Sequence, residues 1–597
     1  MEVKQKFDDA VFYQYTKEEQ EVIIIISVLD SIPRELIQAV SKARKREISE
    51  LLTDNPYIKY DAKEKRLYFE KPYKDFLTEK YYMLDKDVIE KTIRAAAQWC
   101  KNKGHYYDAI KCYRVIKSNM DIWDTICIYR FSRRNITEAK FIIENIEDFP
   151  EVFKDKNPRT RILLSVLYVN NLEFTKAMKT IEKVRIDLEE IRAEEEILGE
   201  CYCAIGIMYI LMGRDGYGEY FKRAAELLPN GSRMWSKEIL LIDLGPALIL
   251  NSSSEGALLK SIEEIDYAIK YIPGLLYGTG MGMNTLCKSE AAFLSGDIKG
   301  AIEYGYQALY MGEAYSQGDV IGSALLIILR SYILQGDYEN IVDTVEHVER
   351  YRRDDRFRNL GIWDIIYGWF YSEFEEGDKV VLWVRNAIHY GYAPISIERP
   401  NIIRMRCLVV GRQYMEALAL IEQLEELAKI KKSIPMLLHI EICRAVSLYA
   451  VKEKEEALRS LERAYELSVG NNLTTLFIEY GNRLRALLLY VKESKTSIPN
   501  EWLYNLYTKV NTFAKKHAIL MKSRKQVIKG GEKDFKLSER EKTILTNISQ
   551  GLTREEIGEL LYLSPNTIKS VLKQIYAKLG AINAADAVRI GIVNEVI

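Results

Sequence analysis

Between Ser564 and Leu579 the chain reads SPNTIKSVLKQIYAKL, a stretch with three lysines and no acidic residue. Lys569 and Lys573 lie four residues apart, so a helix places both ammonium groups on one face. Asn566, Thr567, Ser570 and Gln574 point outward with them, opposite the apolar Ile568, Leu572, Ile575 and Leu579. Lysine can donate to guanine O6 or N7, or pair with phosphate. Ser564 as N-cap, Thr567, and the free N–H groups of a first helical turn suit a phosphate oxygen. These residue types in this pattern point to a helix lying in the major groove of double-stranded DNA. The plainer reading is a solvated lysine face on an ordinary helical tail. The surrounding elements decide between the two.

Those elements are marked by their caps. Ser538 with Glu541 three residues later is a capping box, which predicts a helix from Glu539 that Gly551 ends. Thr553 with Glu556 opens a second, short helix to Leu561. Ser564 followed by Pro565 starts a third, which Gly580 stops. Asn583 with Asp586 starts a fourth, running to Asn594. Ile544, Leu545, Ile548, Ile557, Leu560, Ile568, Leu572, Ile575 and Leu579 recur at helical spacing and are expected to share one small core. Only Tyr562-Leu563 joins the second and third helices, which is helix-turn-helix spacing. In that arrangement the later helix of the pair enters the major groove by its N-terminal end.

Through Leu537-Ser538, Arg540-Glu541, Gly551-Leu552-Thr553, Glu556-Ile557, Leu563-Ser564-Pro565, Thr567-Ile568-Lys569, Ile575-Tyr576 and Lys578-Leu579-Gly580 the segment resembles the LuxR-type (GerE-like) helix-turn-helix of bacterial transcription regulators. The resemblance implies that Lys569, Ser570 and Lys573 face bases and that Thr567 helps hold phosphate. It also implies a homodimer on DNA, with contacts from Ala584, Ala587, Val588 and Gly591 on the fourth helix. Val571 stands where the family often has His, Glu555 where a basic residue is common, and Ala584 where an Arg is common. Arg554, beside Glu555, is expected to substitute for that basic residue in binding DNA.

Residues 93–520 read as helix after helix. Turns of the Gly-Asp type recur, followed by small or apolar anchors at Ala301, Ile341, Val381, Ala417 and Ala457, spaced 40, 40, 36 and 40 residues. Ala109, Ala139 and Ala177 anchor earlier units. Helix-turn-helix units with periods in this range make an α-solenoid. The units resemble tetratricopeptide repeats, in particular the sensor array of MalT-like regulators. That resemblance implies a surface for a small-molecule inducer or a protein partner. Gly278, Gly280 and Gly282 alternate in an inter-helix loop expected to border the concave face. They follow no strand and lack the lysine of a phosphate loop.

Residues 1–92 differ. Helices are predicted over 18–29, 32–40 and 45–52, then a hairpin of strands at 57–60 and 67–69, then a helix near 73–77: a winged-helix pattern. It resembles the winged-helix segment of MalT-like proteins, which stands between an ATPase module and the sensor array. The sequence contains no GxxxxGK[ST], so the ATP-driven oligomerisation that the resemblance would imply is not expected.

Composition bounds the remainder. The chain has 597 residues, 48% hydrophobic, with a formal net charge of −1. That charge excludes a globally basic nucleic-acid coater and confines any DNA site to a patch. No signal peptide opens it, and no apolar run approaches the roughly 20 residues of a membrane span. The eight cysteines and five histidines are scattered, so neither a metal site nor a disulfide framework is expected. The expected fold is mostly all-α: a winged-helix-like segment, a long solenoid, a polar linker at 521–536, and a four-helix DNA-binding domain at 537–597. The expected protein is a cytoplasmic, cofactor-free transcription regulator, not an enzyme, with no membrane partner. RNA polymerase is a partner if it activates. The alternative is an interaction scaffold whose helix-turn-helix no longer binds DNA.

Overall fold

The computed structural model describes residues 12–29, 31–36, 55–81, 84–129, 136–191, 195–235, 255–358, 360–387, 394–531, 537–579, 581 and 583–593. The described chain is mainly helical, as the repeat spacing and caps require. It divides into two compact units, one of residues 1–335 and 339–511, the other of 336–338 and 512–597.

The first unit opens with helix α1 (Lys17–Ile26), held at its start by a capping box between Thr16 and Glu19. Strands β1 (Ser31–Pro33), β2 (Ile58–Asp61) and β3 (Arg66–Phe69) then form an antiparallel sheet in the order β1-β3-β2. The hairpin β2–β3 and the helix after it, α2 (Lys71–Tyr81), stand where the alternation of residues placed them. Ile32 and Pro33 do not start a helix: they pair with β3 at the sheet edge, where a residue lacking an N–H is tolerated. Arg66 fixes this edge, donating from Nε to Ser31 Oγ and from Nη2 to both Ser31 O and Asp108. The helix expected at 45–52 lies outside the described residues.

From residue 86 helices pair into hairpins. Gly296, with φ at +91°, ends one helix, and Asp297 caps the next by accepting from the Gly300 N–H at 2.9 Å. The anchors Ala109, Ala139, Ala177, Ala301, Ile341, Ala417 and Ala457 are all fully buried. Val381 is the exception, 37% exposed. There the unit contracts to a single helical turn, Leu382–Arg385, with Val380 and Val384 turned inward in its place. Trp383 donates to Asp364 Oδ2 at 2.7 Å and ties that turn to the preceding helix.

Six inner helices carry the centre of the unit: α3 (Met283–Ser295), α4 (Gly318–Gln335), α5 (Ile362–Glu373), α6 (Glu398–Val410), α7 (Ile434–Ala450) and α8 (Thr475–Ile478). Each packs on the next, and α8 packs back on α3, so they close a ring. Helix α4 is long and apolar enough to cross a membrane, but 94% of it is buried in this array. A stack of alternating aromatic rings and guanidinium groups crosses the ring. Arg330 Cζ sits 4.4 Å from the Phe293 ring centre and 4.2 Å from that of Trp369. Arg406 Cζ sits 4.5 Å from the Trp369 ring centre and 5.3 Å from that of Tyr480. Arg330 donates two 2.8 Å hydrogen bonds to the two oxygens of Glu479, and Arg406 pairs with Glu373.

Both members of the Arg330–Glu479 pair are almost fully buried, at 3% and 4% side-chain exposure. Losing one leaves the other charge in a medium that cannot solvate it, at a cost of about 3–5 kcal/mol. Glu479→Gln should therefore lower the unfolding free energy by about that amount. Arg330→Met/Glu479→Leu, which removes both charges, should recover much of it. Urea denaturation checks this; an unchanged midpoint in Glu479→Gln would show that the pair does not hold the ring.

Candidate nucleic-acid interface

The second unit includes the later part of helix α9 (Asn500–Gly531) and four short helices. Residues 521–531, read from sequence as the start of a polar tether, are helical, since lysine, glutamine and methionine are good helix formers. The four helices are α10 (Glu539–Ser549), α11 (Arg554–Leu561), α12 (Pro565–Leu579) and α13 (Ala584–Val593). Their bounds follow the caps. Both capping boxes form reciprocally: Glu541 accepts from the Ser538 N–H at 2.7 Å and Glu556 from the Thr553 N–H at 2.7 Å. Each cap hydroxyl accepts in return, at 3.3 Å.

One core joins the four helices: Leu537, Ile544, Leu545, Ile557, Ile568, Leu572, Ile575, Leu579 and Ala587. Ile548 packs on it at half burial. Leu560, expected in this core, is 58% exposed, because Leu561, four residues after Ile557, takes the inward position instead.

That turn sets how α12 lies against α11. Tyr562 adopts φ +56°, uncommon for a residue with a side chain, and its ring points almost wholly into solvent. The Leu563 N–H donates back to Gly558 O at 2.8 Å. A Cβ at Gly558 would stand 2.6 Å from Leu563 O, which no side chain can do without moving the turn. Gly558 was not singled out in the sequence. Its signal is a glycine inside a short helix, five residues before the bonded N–H.

The six outward residues predicted on α12, namely Asn566, Thr567, Lys569, Ser570, Lys573 and Gln574, are all exposed, as are Ser564 and Arg554. Ser564 Oγ accepts from the Thr567 N–H at 3.1 Å and lies 2.8 Å from the Thr567 hydroxyl. The two hydroxyls are thereby held together over the first turn. Lys569 and Lys573 make no ion pair among the described residues. Lys578 behaves differently. Its ammonium donates to both oxygens of Glu541, at 2.8 and 2.7 Å, tying α12 to α10. Burial by itself would raise the Glu541 pKa, but the Lys578 and Ser538 hydrogen bonds outweigh it and hold the carboxyl below its usual value of 4.5. Lys578 therefore belongs to the scaffold of the domain.

The fourth helix needs a correction. Ala587 is part of the core and Gly591 is buried, so neither presents a surface for a second copy. Val588 is half-buried against the same core, and Ala584 is half-buried. Ile592, 58% exposed and overlooked in the sequence reading, shares their face at four-residue spacing.

Comparison with known proteins follows this geometry. Residues 536–590 match the family described as bacterial regulatory proteins, luxR family. The transcriptional activator protein ExpR of Pectobacterium parmentieri is 28% identical over 152 residues, which is 24% of this chain and 61% of that protein. The chain thus spans less than two thirds of that relative's length. A solved Signal Transduction ATPase with Numerous Domains (STAND) protein with a tetratricopeptide repeat sensor, from Pyrococcus horikoshii, aligns over 86% of this chain and 65% of its own. Its TM-score is 0.37 and its identity 12%.

Two outcomes follow from the scaffold residues. Gly558→Val should displace α12 and lower the melting temperature of the full chain's carboxy-terminal transition; unchanged melting would mean that the turn tolerates a Cβ. Lys578→Met should cost about 1 kcal/mol at pH 7, discounted for the exposure of the lysine. Because the Glu541 pKa is depressed on folding, this stabilisation is present above pH 4.5 and fades as pH falls further. Wild-type and variant denaturation midpoints should therefore converge below pH 4.5. Parallel curves at all pH values would remove the pair from the account.

Residues 536–590 of the chain form a LuxR-type helix-turn-helix domain.

Proposed function

We propose that the chain is a sequence-specific DNA-binding transcription regulator. The observation that carries this is the outer face of α12, exposed, free of acids and bearing two lysines with no ion-pair partner among the described residues, in a helix-turn-helix of the LuxR type. In this reading Lys569, Ser570 and Lys573 meet base edges in the major groove, with Asn566 and Gln574 beside them. Ser564, Thr567 and Arg554 hold phosphates, which fix the register without reading sequence. Two copies occupy two half-sites, meeting through the Ala584–Val588–Ile592 face of α13. The helical array senses a small molecule or a protein. The protein works in the cytoplasm, where bacterial DNA lies, and contacts RNA polymerase if it activates.

Lys569→Ala and Lys573→Ala should each weaken binding to a selected operator by about 1–3 kcal/mol and relax base preference at one position. Arg554→Ala should weaken binding to all sequences alike and reduce the salt slope by about one. Gel-shift titrations over a range of salt concentrations measure both. Unchanged affinity in both lysine variants would overturn the assignment of α12. Absence of salt-dependent binding by wild type would favour an interaction scaffold, a reading that the exposed Glu555 supports.

A further inference from the structure

The ring of inner helices holds more polar capacity than its own pairs use. Arg406 on α6 gives Nη2 to Glu373, but its Nε and Nη1 have no hydrogen-bond partner, although the side chain is 3% exposed. His439 on α7 is wholly buried, with Nδ1 3.0 Å from the Tyr480 hydroxyl and Nε2 unpartnered. The two side chains are neighbours, because both lie against Trp369 and Tyr480: the His439 ring centre is 6.1 Å from the former and 6.0 Å from the latter. Cys443 Sγ, 3.1 Å from the same Tyr480 hydroxyl, completes the surround.

Left alone, such groups are costly, since a buried donor without an acceptor forfeits its hydration. A guanidinium with two unmet N–H groups is matched by acceptor oxygens that carry charge. Burial, with Arg330, Arg406 and Arg399 around it, holds the His439 imidazole well below its usual pKa, so a further cation is disfavoured there. The Trp369 and Tyr480 rings flank both side chains.

We propose that Arg406 and His439, between the Trp369 and Tyr480 rings, bind the carboxylate of a small organic anion. This rests on reading the array as the sensing part of the protein. Arg406 Nε and Nη1 donate to the carboxylate, and His439 Nε2 bonds to an oxygen beside it. The three nitrogens are closed to solvent, so entry requires one of the flanking rings to turn aside.

Formate and acetate are the probes, titrated into the full chain at pH 7 against chloride at constant ionic strength, with thermal unfolding and operator affinity both read. The expected result is a saturable rise in melting temperature in the wild type. Arg406→Gln/Glu373→Gln, which leaves neither charge buried alone, should shift half-saturation at least tenfold. His439→Gln, which keeps every charge and can still meet Tyr480, should shift it several-fold and serves if the double variant does not fold. No saturable response to either anion in the wild type overturns the site, as does a response that both variants retain. An anion that binds here but leaves operator affinity unchanged keeps the site and removes the sensing reading.

Discussion

A guanidinium and a carboxylate, 149 residues apart in sequence, meet in the middle of the helical array. In a stack of helix hairpins each unit touches its neighbours, so nothing local decides how far the stack curls. Arg330 with Glu479 decides it here, because α4 and the segment after α8 must come together for the pair to form. Two parallel hydrogen bonds require one orientation, which an apolar contact does not. A buried pair adds little net stability over well-packed apolar residues. Its effect is on geometry. With Arg330 in place, Trp369 has two guanidinium groups against its ring and Arg406 reaches Tyr480, so the order of the ring and its polar interior are set together.

In the carboxy-terminal domain the charges are few, and placement matters more than number. Three lysines lie on α12, and the structure sorts them. Lys578 is tied to a buried cap residue, while Lys569 and Lys573 remain in water without acid partners among the described residues. Glu541 serves two ends at once, closing the N-cap of α10 and anchoring the far end of α12. A net charge of −1 over the chain therefore coexists with a local face that carries two exposed lysines and no acid.

What the sequence made legible is what short-range chemistry determines. The two capping boxes, the Ser564-Pro565 start and the wing hairpin each involve residues a few positions apart, and each stands where it was expected. The small anchors were legible for the same reason, since a repeated close approach needs a repeated small residue. Val381 misled because its spacing fits the period while its segment folds as one turn. Strand β1 was hidden, because three residues pairing 33 or more positions away carry no periodicity of their own. Arg330, Trp369, Arg406 and Tyr480 were invisible for that reason too. None carries a local signal within its own segment, and the segments that bring them together are tens of residues apart. The inward side of Ala587 and Gly591 was ambiguous, because small residues suit a core and a dimer face equally.

The turn between α11 and α12 explains how one scaffold can carry different readings of DNA. Its geometry is made by backbone: a glycine with no room for a Cβ, a bond from the Leu563 N–H to Gly558 O, and a left-handed Tyr562. The inner side of α12 is then fixed by Ile568, Leu572, Ile575 and Leu579, all in the core, and by Lys578. None of these constraints touches residues 566, 569, 570 or 573. Their side chains are free to change without moving the helix. Thr567 lies between the two sets. It is exposed, but Ser564 holds it in place over the first turn.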